Sequence, residues 1–92
     1  MKPTTDDKQL AAYAKALGHP IRVQIIRRLE RLGTCQTGSL VDSLPVAQST
    51  VSEHLRILRE TGLVRGEIDG PRRCYCVNAE GLAAARRLLN DL

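Results

Sequence analysis

The stretch SLVDSLPVAQSTVSEHLRILRETGLV, residues 39–64, restricts the fold more than any other part of the chain. Ser39 can cap a short helix running to about Leu44, and Pro45, which has no amide hydrogen, breaks it. A second helix is predicted to begin near Ala47 or Gln48. It carries Val51, Leu55 and Leu58 inward at i, i+4 and i+7, one face of an α-helix. Gly62 stops it, and Leu63 and Val64 anchor the exit. Two helices joined by a tight turn, the second ending in Gly-Leu-Val, form a helix-turn-helix pattern.

The flanks extend this pattern in both directions. Residues 1–4 read as a flexible tail. Thr5 is the expected cap of a first helix, with Asp6 and Asp7 complementing its dipole. Leu10, Ala14 and Leu17 repeat at helical spacing beside Tyr13, and Gly18 supplies a stop. Pro20 suits the first position of the next helix. Its stripe is Ile21, Ile25, Leu29 and Leu32, widened by Ile26, and Gly33 ends it. The polar segment TCQTG reads as extended. After Val64 the period changes: VRGEI and RCYCV are strand-like runs around the turn signal DGPR, so a hairpin, or wing, is expected. Tyr75 and Val77 share one strand face, with Val77 the expected core residue. Asn78 can cap a last helix carrying Leu82, Leu88, Leu89 and Leu92 among alanines.

The 92 residues suffice for one domain, residues 1–92, mainly α with a small β-hairpin. Tyr13 and Tyr75 are its only aromatics. The core is therefore expected to be aliphatic, and a base-stacking surface for single strands is excluded. A formal charge of +4 and a pI near 9.3 favour a polyanionic partner. No apolar run approaches the roughly 20 residues of a membrane helix, and the chain reads as cytoplasmic. Three cysteines, an odd number, are then free thiols rather than a disulfide framework. No Gly-rich phosphate loop, paired-carboxylate site or Ser/His/Asp arrangement appears, so an enzyme is not expected.

The helix opening at AQSTVSEHLRIL has the composition needed to read DNA. Gln48, Ser49, Thr50 and Ser52 are short polar groups on its first turns, and His54 and Arg56 follow on faces not used by the aliphatic triplet. The N-terminal residues of a recognition helix meet base edges and must be short enough for the helix to enter the major groove. Gln can pair bidentately with adenine, and Ser and Thr donate or accept. Arg56, Arg59 and the wing residues Arg72 and Arg73 can neutralise phosphates. Singly, each could equally belong to a capped, solvated helix; the specificity lies in the set.

Taken together, ALGHPIRVQIIRRL, STVSEHLRILRETGLVRGE and a Gly-containing wing ending in Tyr75 and Val77-Asn78 resemble the ArsR/SmtB family of winged-helix repressors. The resemblance covers about residues 6–92. It implies a winged helix-turn-helix homodimer, joined through the first and last helices, that presents two recognition helices to a palindromic operator in a prokaryotic cytoplasm. Family members usually release DNA on binding a metal ion, a metalloid or an oxidant. The family often has Ser where this chain has Ala47, so Ser49 is expected to cap the recognition helix instead.

Two of the family's sensing sites have no counterpart in these residues. The helix before the recognition helix, GSLVDSL, has no Cys-x-Cys pair, and the last helix, AEGLAAARRLLNDL, has no His. What remains is Cys35, Cys74 and Cys76. On a strand, Cys74 and Cys76 share a face with α-carbons about 6.5–7 Å apart, long for an unstrained disulfide but suited to converging on one soft ion. That face is expected to be the more exposed one, beside Arg72 and Arg73, whose charge would lower a thiol pKa. If TCQ lies against the second wing strand, Cys35 completes a three-sulfur set suited to arsenite or antimonite; a partner-chain cysteine could equally supply the third sulfur. Free cysteines are also often small buried hydrophobes. The sequence thus points to a repressor needing no cofactor and released by a thiophilic inducer. A redox or persulfide switch of the same fold, and a winged-helix protein-interaction module, remain alternatives. His19 and His54 lack a further ligand at useful spacing.

Overall fold

The structure, a computed structural model, describes residues 1–33, 35, 44–67 and 74–92. Helix α1 (Thr5–Ala16) opens one residue earlier than expected. Thr4, not Thr5, is its cap: Thr4 Oγ1 accepts from Asp7 N at 3.1 Å, and Asp7 Oδ2 accepts from Thr4 N at 2.8 Å. The reciprocal pair needs an acidic or amide side chain three residues after the cap, and only Thr4 has Asp7 at that distance. Helix α2 (Pro20–Leu32) starts with Pro20 at its first position and ends at Gly33, whose φ is 72°. Helix α3 (Gln48–Thr61) ends at Gly62. Strands β1 (Val64–Glu67) and β2 (Cys74–Val77) pair antiparallel, with Val64 opposite Val77, Arg65 opposite Cys76, Gly66 opposite Tyr75 and Glu67 opposite Cys74. Helix α4 (Ala79–Asn90) is capped by Asn78 Oδ1, which accepts from Gly81 N. Residues 39–43 of the expected helix before Pro45, the wing tip and its arginines Arg72 and Arg73 lie outside the described residues.

One core joins these elements. Ile25 and Leu29 of α2, Val51, Leu55 and Leu58 of α3, and Leu63 and Val64 at the strand entry are essentially inaccessible to water. Burying a Leu or Ile side chain is worth about 1.5–3 kcal/mol, so this set is what fixes α3 against α2. The core is not purely aliphatic. Tyr13 and Tyr75 are both buried, and on β2 the deeply buried residue is Tyr75, at 1% exposure, while Val77 is half-buried. Tyr75 occupies the centre of the short hairpin opposite Gly66, where a large side chain fills space that Val77, at the strand end, does not reach. Leu82 and Leu88 of α4 join the core, whereas Leu32, Leu89 and Leu92 are exposed.

Candidate nucleic-acid interface and thiol cleft

Burial of Val51, Leu55 and Leu58 turns the opposite face of α3 outward. Gln48, Ser49 and Thr50 are exposed on its first turn, and Ser52 and Arg56 are half-buried. The helix cap is Ala47, which makes no side-chain cap hydrogen bond. Ser49 does not replace it, because it lies inside the first turn, past the position from which a hydroxyl reaches the first amides. Arg56 forms an ion pair with Glu53 one turn back. Arg59 Nη1 donates to the Gly66 carbonyl at 3.4 Å, which links α3 to wing strand β1.

His54 does not belong to this outward face. It is 8% exposed, and its Nδ1 accepts a hydrogen bond from Arg22 Nε at 3.1 Å. Position 54 falls three residues after Val51 and four before Leu58, so helical geometry carries it toward the core side. His19 stacks on it, with ring centroids 4.4 Å apart and planes tilted by 48°. These histidines are 35 positions apart in sequence and carry no local signal of their meeting.

The cysteines are arranged differently from the expected trio. Cys76 is buried, Cys74 is half-buried and Cys35 is exposed. Cys76 faces a cleft lined by Leu29 of α2 and Leu82 of α4, which leaves it only 9% exposed. Cys35 and Cys76 line the same cleft beside Arg65, the cross-strand neighbour of Cys76, and Cys35 is close enough to affect the ionisation of Cys76. Three sulfurs do not converge: among the described residues, no three His, Cys, Asp or Glu side chains gather closely enough to hold a metal ion. Interaction with Cys35 pushes the Cys76 thiol pKa up, burial adds to this, and Arg65 opposes it. Cys76 is therefore a thiol rather than a thiolate at neutral pH, contrary to the lowering expected from nearby arginines.

The two thiols open into a cleft of about 520 Å³ between α2, β2 and α4, lined also by Leu29, Leu82, Arg65 and Arg86. At its rim Arg86 Nη2 donates to both carboxylate oxygens of Glu30 at 2.8 Å. Cys74 does not line this cleft.

The helix, hairpin and following helix that build this geometry occur in known proteins. Residues 19–65, from the start of α2 to the first wing strand, match the model of the bacterial regulatory protein arsR family. The chain belongs to that family. It is 31% identical to the HTH-type transcriptional regulator YgaV of Escherichia coli over 92% of this chain and 86% of that protein. It is 41% identical to the HTH-type transcriptional repressor SmtB of Mycobacterium tuberculosis over 66% of this chain, which spans 44% of SmtB's length. The crystal structure of a possible transcriptional regulator for arsenical resistance superposes with a TM-score of 0.73 at 33% identity, covering 84% of this chain and 79% of that one. The fold is a winged helix-turn-helix, and this arsR-family protein is a DNA-binding transcriptional regulator and not an enzyme. Among the described residues, no helix is long and apolar enough to cross a membrane.

Proposed function

We propose that this arsR-family regulator is a homodimeric repressor that releases a palindromic operator when a thiophilic inducer, trivalent arsenic or antimony, binds its cysteines. The observation that carries this reading is the two thiols of Cys35 and Cys76 at one open cleft, with Cys76 on wing strand β2. Soft thiolates suit such a centre. As each sulfur–arsenic bond forms on arsenous acid, the thiol proton and one arsenic hydroxyl leave as water, so two thiols hold an As–OH group with loss of two waters. A thiol of a second copy displaces the last hydroxyl, which leaves with that thiol's proton as a third water. Exposed Leu89 of α4 and Leu92 just past its end give this terminus an apolar edge for that second copy.

Bases are read by Gln48, Ser49, Thr50 and Ser52, with Arg56, Arg72 and Arg73 on phosphates. The signal has a short route. Tying Cys76 to Cys35 pulls β2, which is paired to Gly66 of β1, and Gly66 is held by Arg59 of α3. A few kcal/mol of differential binding between the two arrangements suffices.

The test is operator release on titration with arsenite, and separately with peroxide and polysulfide. Release by arsenite that is lost in both Cys35→Ser and Cys76→Ser supports the metalloid reading. Release by peroxide or polysulfide alone assigns the same pair to a redox or persulfide switch. Normal release by every inducer in both variants removes the cysteines from sensing.

A further inference from the structure

Arg22 joins three elements at one point. Its Nη1 donates to the carbonyls of Lys15 and Ala16, the last turn of α1, at 3.4 and 3.3 Å. Its Nε donates to His54 Nδ1 on the buried side of α3. A guanidinium offers five donors in a fixed fork and no acceptor, so this arrangement sets the spacing between the end of α1 and the recognition helix. The bond requires a lone pair on His54 Nδ1, which exists only in the neutral ring with its proton on Nε2. His19 is in the same condition: its Nδ1 accepts from Ile21 N at 3.1 Å and thereby caps α2.

We propose that Arg22 and His54 are positioning residues for the recognition helix, and that protonation of His54 releases α3 and weakens operator binding. The proposal rests on DNA recognition by α3 as read above. It assigns to this arsR-family regulator a proton-sensitive joint separate from the thiol cleft. A protonated His54 cannot accept from Arg22, and it would place a second cation against that guanidinium and beside the His19 ring.

The surrounding charges act in one direction with a single exception. Burial is the largest influence holding His54 below its ordinary pKa of 6.5; His19 and then Arg22 act the same way, and Glu53 of α3 opposes them. The unfolded chain therefore takes up this proton before the folded one does. The contribution of the joint is complete above about pH 6.5 and is lost as pH falls through the lowered folded value. Were His54 a phosphate contact, acid would add a favourable charge and tighten binding. The two roles predict opposite signs.

The experiment uses the full chain and a duplex selected by the protein from a random-sequence library at about pH 8, where imidazole is neutral. Affinity is read by fluorescence anisotropy down to about pH 5.5 at constant ionic strength, over the range in which the far-ultraviolet circular dichroism is unchanged. The wild type is expected to weaken steadily toward the acid end, by less than about tenfold because His54 titrates below its ordinary value. His54→Asn keeps an acceptor near the Nδ1 position without a proton to gain, and its affinity should change by less than about twofold. Arg22→Lys keeps the charge but loses the fork, and should bind more weakly at pH 8 with a flattened profile. If His54→Asn does not fold, the sign of the wild-type profile together with Arg22→Lys decides. A wild-type profile that is flat or tightens in acid, or a His54→Asn profile as steep as wild type, overturns the proposal. Failure to select any duplex at about pH 8 overturns the DNA-recognition reading and the proposal with it.

Discussion

Gly66 sits opposite Tyr75 in the wing hairpin, and replacing it with alanine should damage the hairpin severely. Its φ of +117° is one that side chains rarely adopt. An added Cβ would sit 2.2 Å from the Cys74 carbonyl oxygen and 2.9 Å from Tyr75 Cα, more than an ångström short of ordinary contact with that oxygen, which begins at 3.4 Å. Both obstructing atoms are backbone, so no side chain can swing away and the strands must part. Strained backbone costs about 1–3 kcal/mol, and forced overpacking costs a similar amount. Gly66→Ala is thus expected to lose about 3 kcal/mol, which for a domain of this size lowers Tm by about 12–24 °C. Gly33→Ala is the control. Its φ is also positive, at 72°, but a Cβ there meets nothing within 4 Å, so it should lose only about 1 kcal/mol. Thermal unfolding by circular dichroism at one fixed protein concentration measures both, since a dimer's Tm depends on concentration. A Gly66→Ala loss no larger than that of Gly33→Ala would refute the argument that the Cys74 carbonyl excludes a side chain.

Two further outcomes follow from named contacts. Thr4→Ala should destabilise by about 1 kcal/mol by removing the cap of α1, while Thr5→Ala stays within about 0.5 kcal/mol; equal effects in a urea titration would put the cap elsewhere. In iodoacetamide labelling near neutral pH followed by peptide mass spectrometry, exposed Cys35 should react first, and Cys76 slowly, because its raised pKa leaves little thiolate. Cys35→Ala removes the largest cause of that rise and should speed labelling of Cys76; slower or unchanged labelling there would deny that Cys35 suppresses the Cys76 thiolate.

The sequence shows local periodicity and punctuation, and these parts of the fold were legible. Val51, Leu55 and Leu58 repeat at helical spacing between Ala47 and Gly62, and the structure buries all three. The wing strands, Pro20 at the start of α2 and Asn78 as the last cap depend on residue chemistry within a few positions and were equally readable. What failed was each inference that needed to know what lies across the fold. Strand alternation sets Cys74 and Cys76 on one face of β2, but the helices on either side of the cleft, through Leu29 and Leu82, decide that Cys76 is buried there. His54 looked like a polar residue among polar residues; only the packing of α2 on α3 brings Arg22 and His19 to it.

That last failure bears on function. Residues of α3 are exposed or buried according to α2, and the side chain joining the two helices, Arg22, also holds the end of α1. The exposed first turn, with Gln48, Ser49 and Thr50, therefore takes its orientation from contacts on the opposite side of the helix. The wing reaches α3 from its other end through Arg59 and Gly66. In the mechanism proposed above, a thiol ligand at Cys35 and Cys76 would act on the wing end, and a proton at His54 on the α1–α2 end. The two joints share no residue, so their effects on operator affinity should add when both are perturbed. Arsenite release measured at neutral and at mildly acidic pH tests this: the fold-change caused by arsenite should be the same at both, and a fold-change that vanishes in acid would mean that both signals work through a single joint.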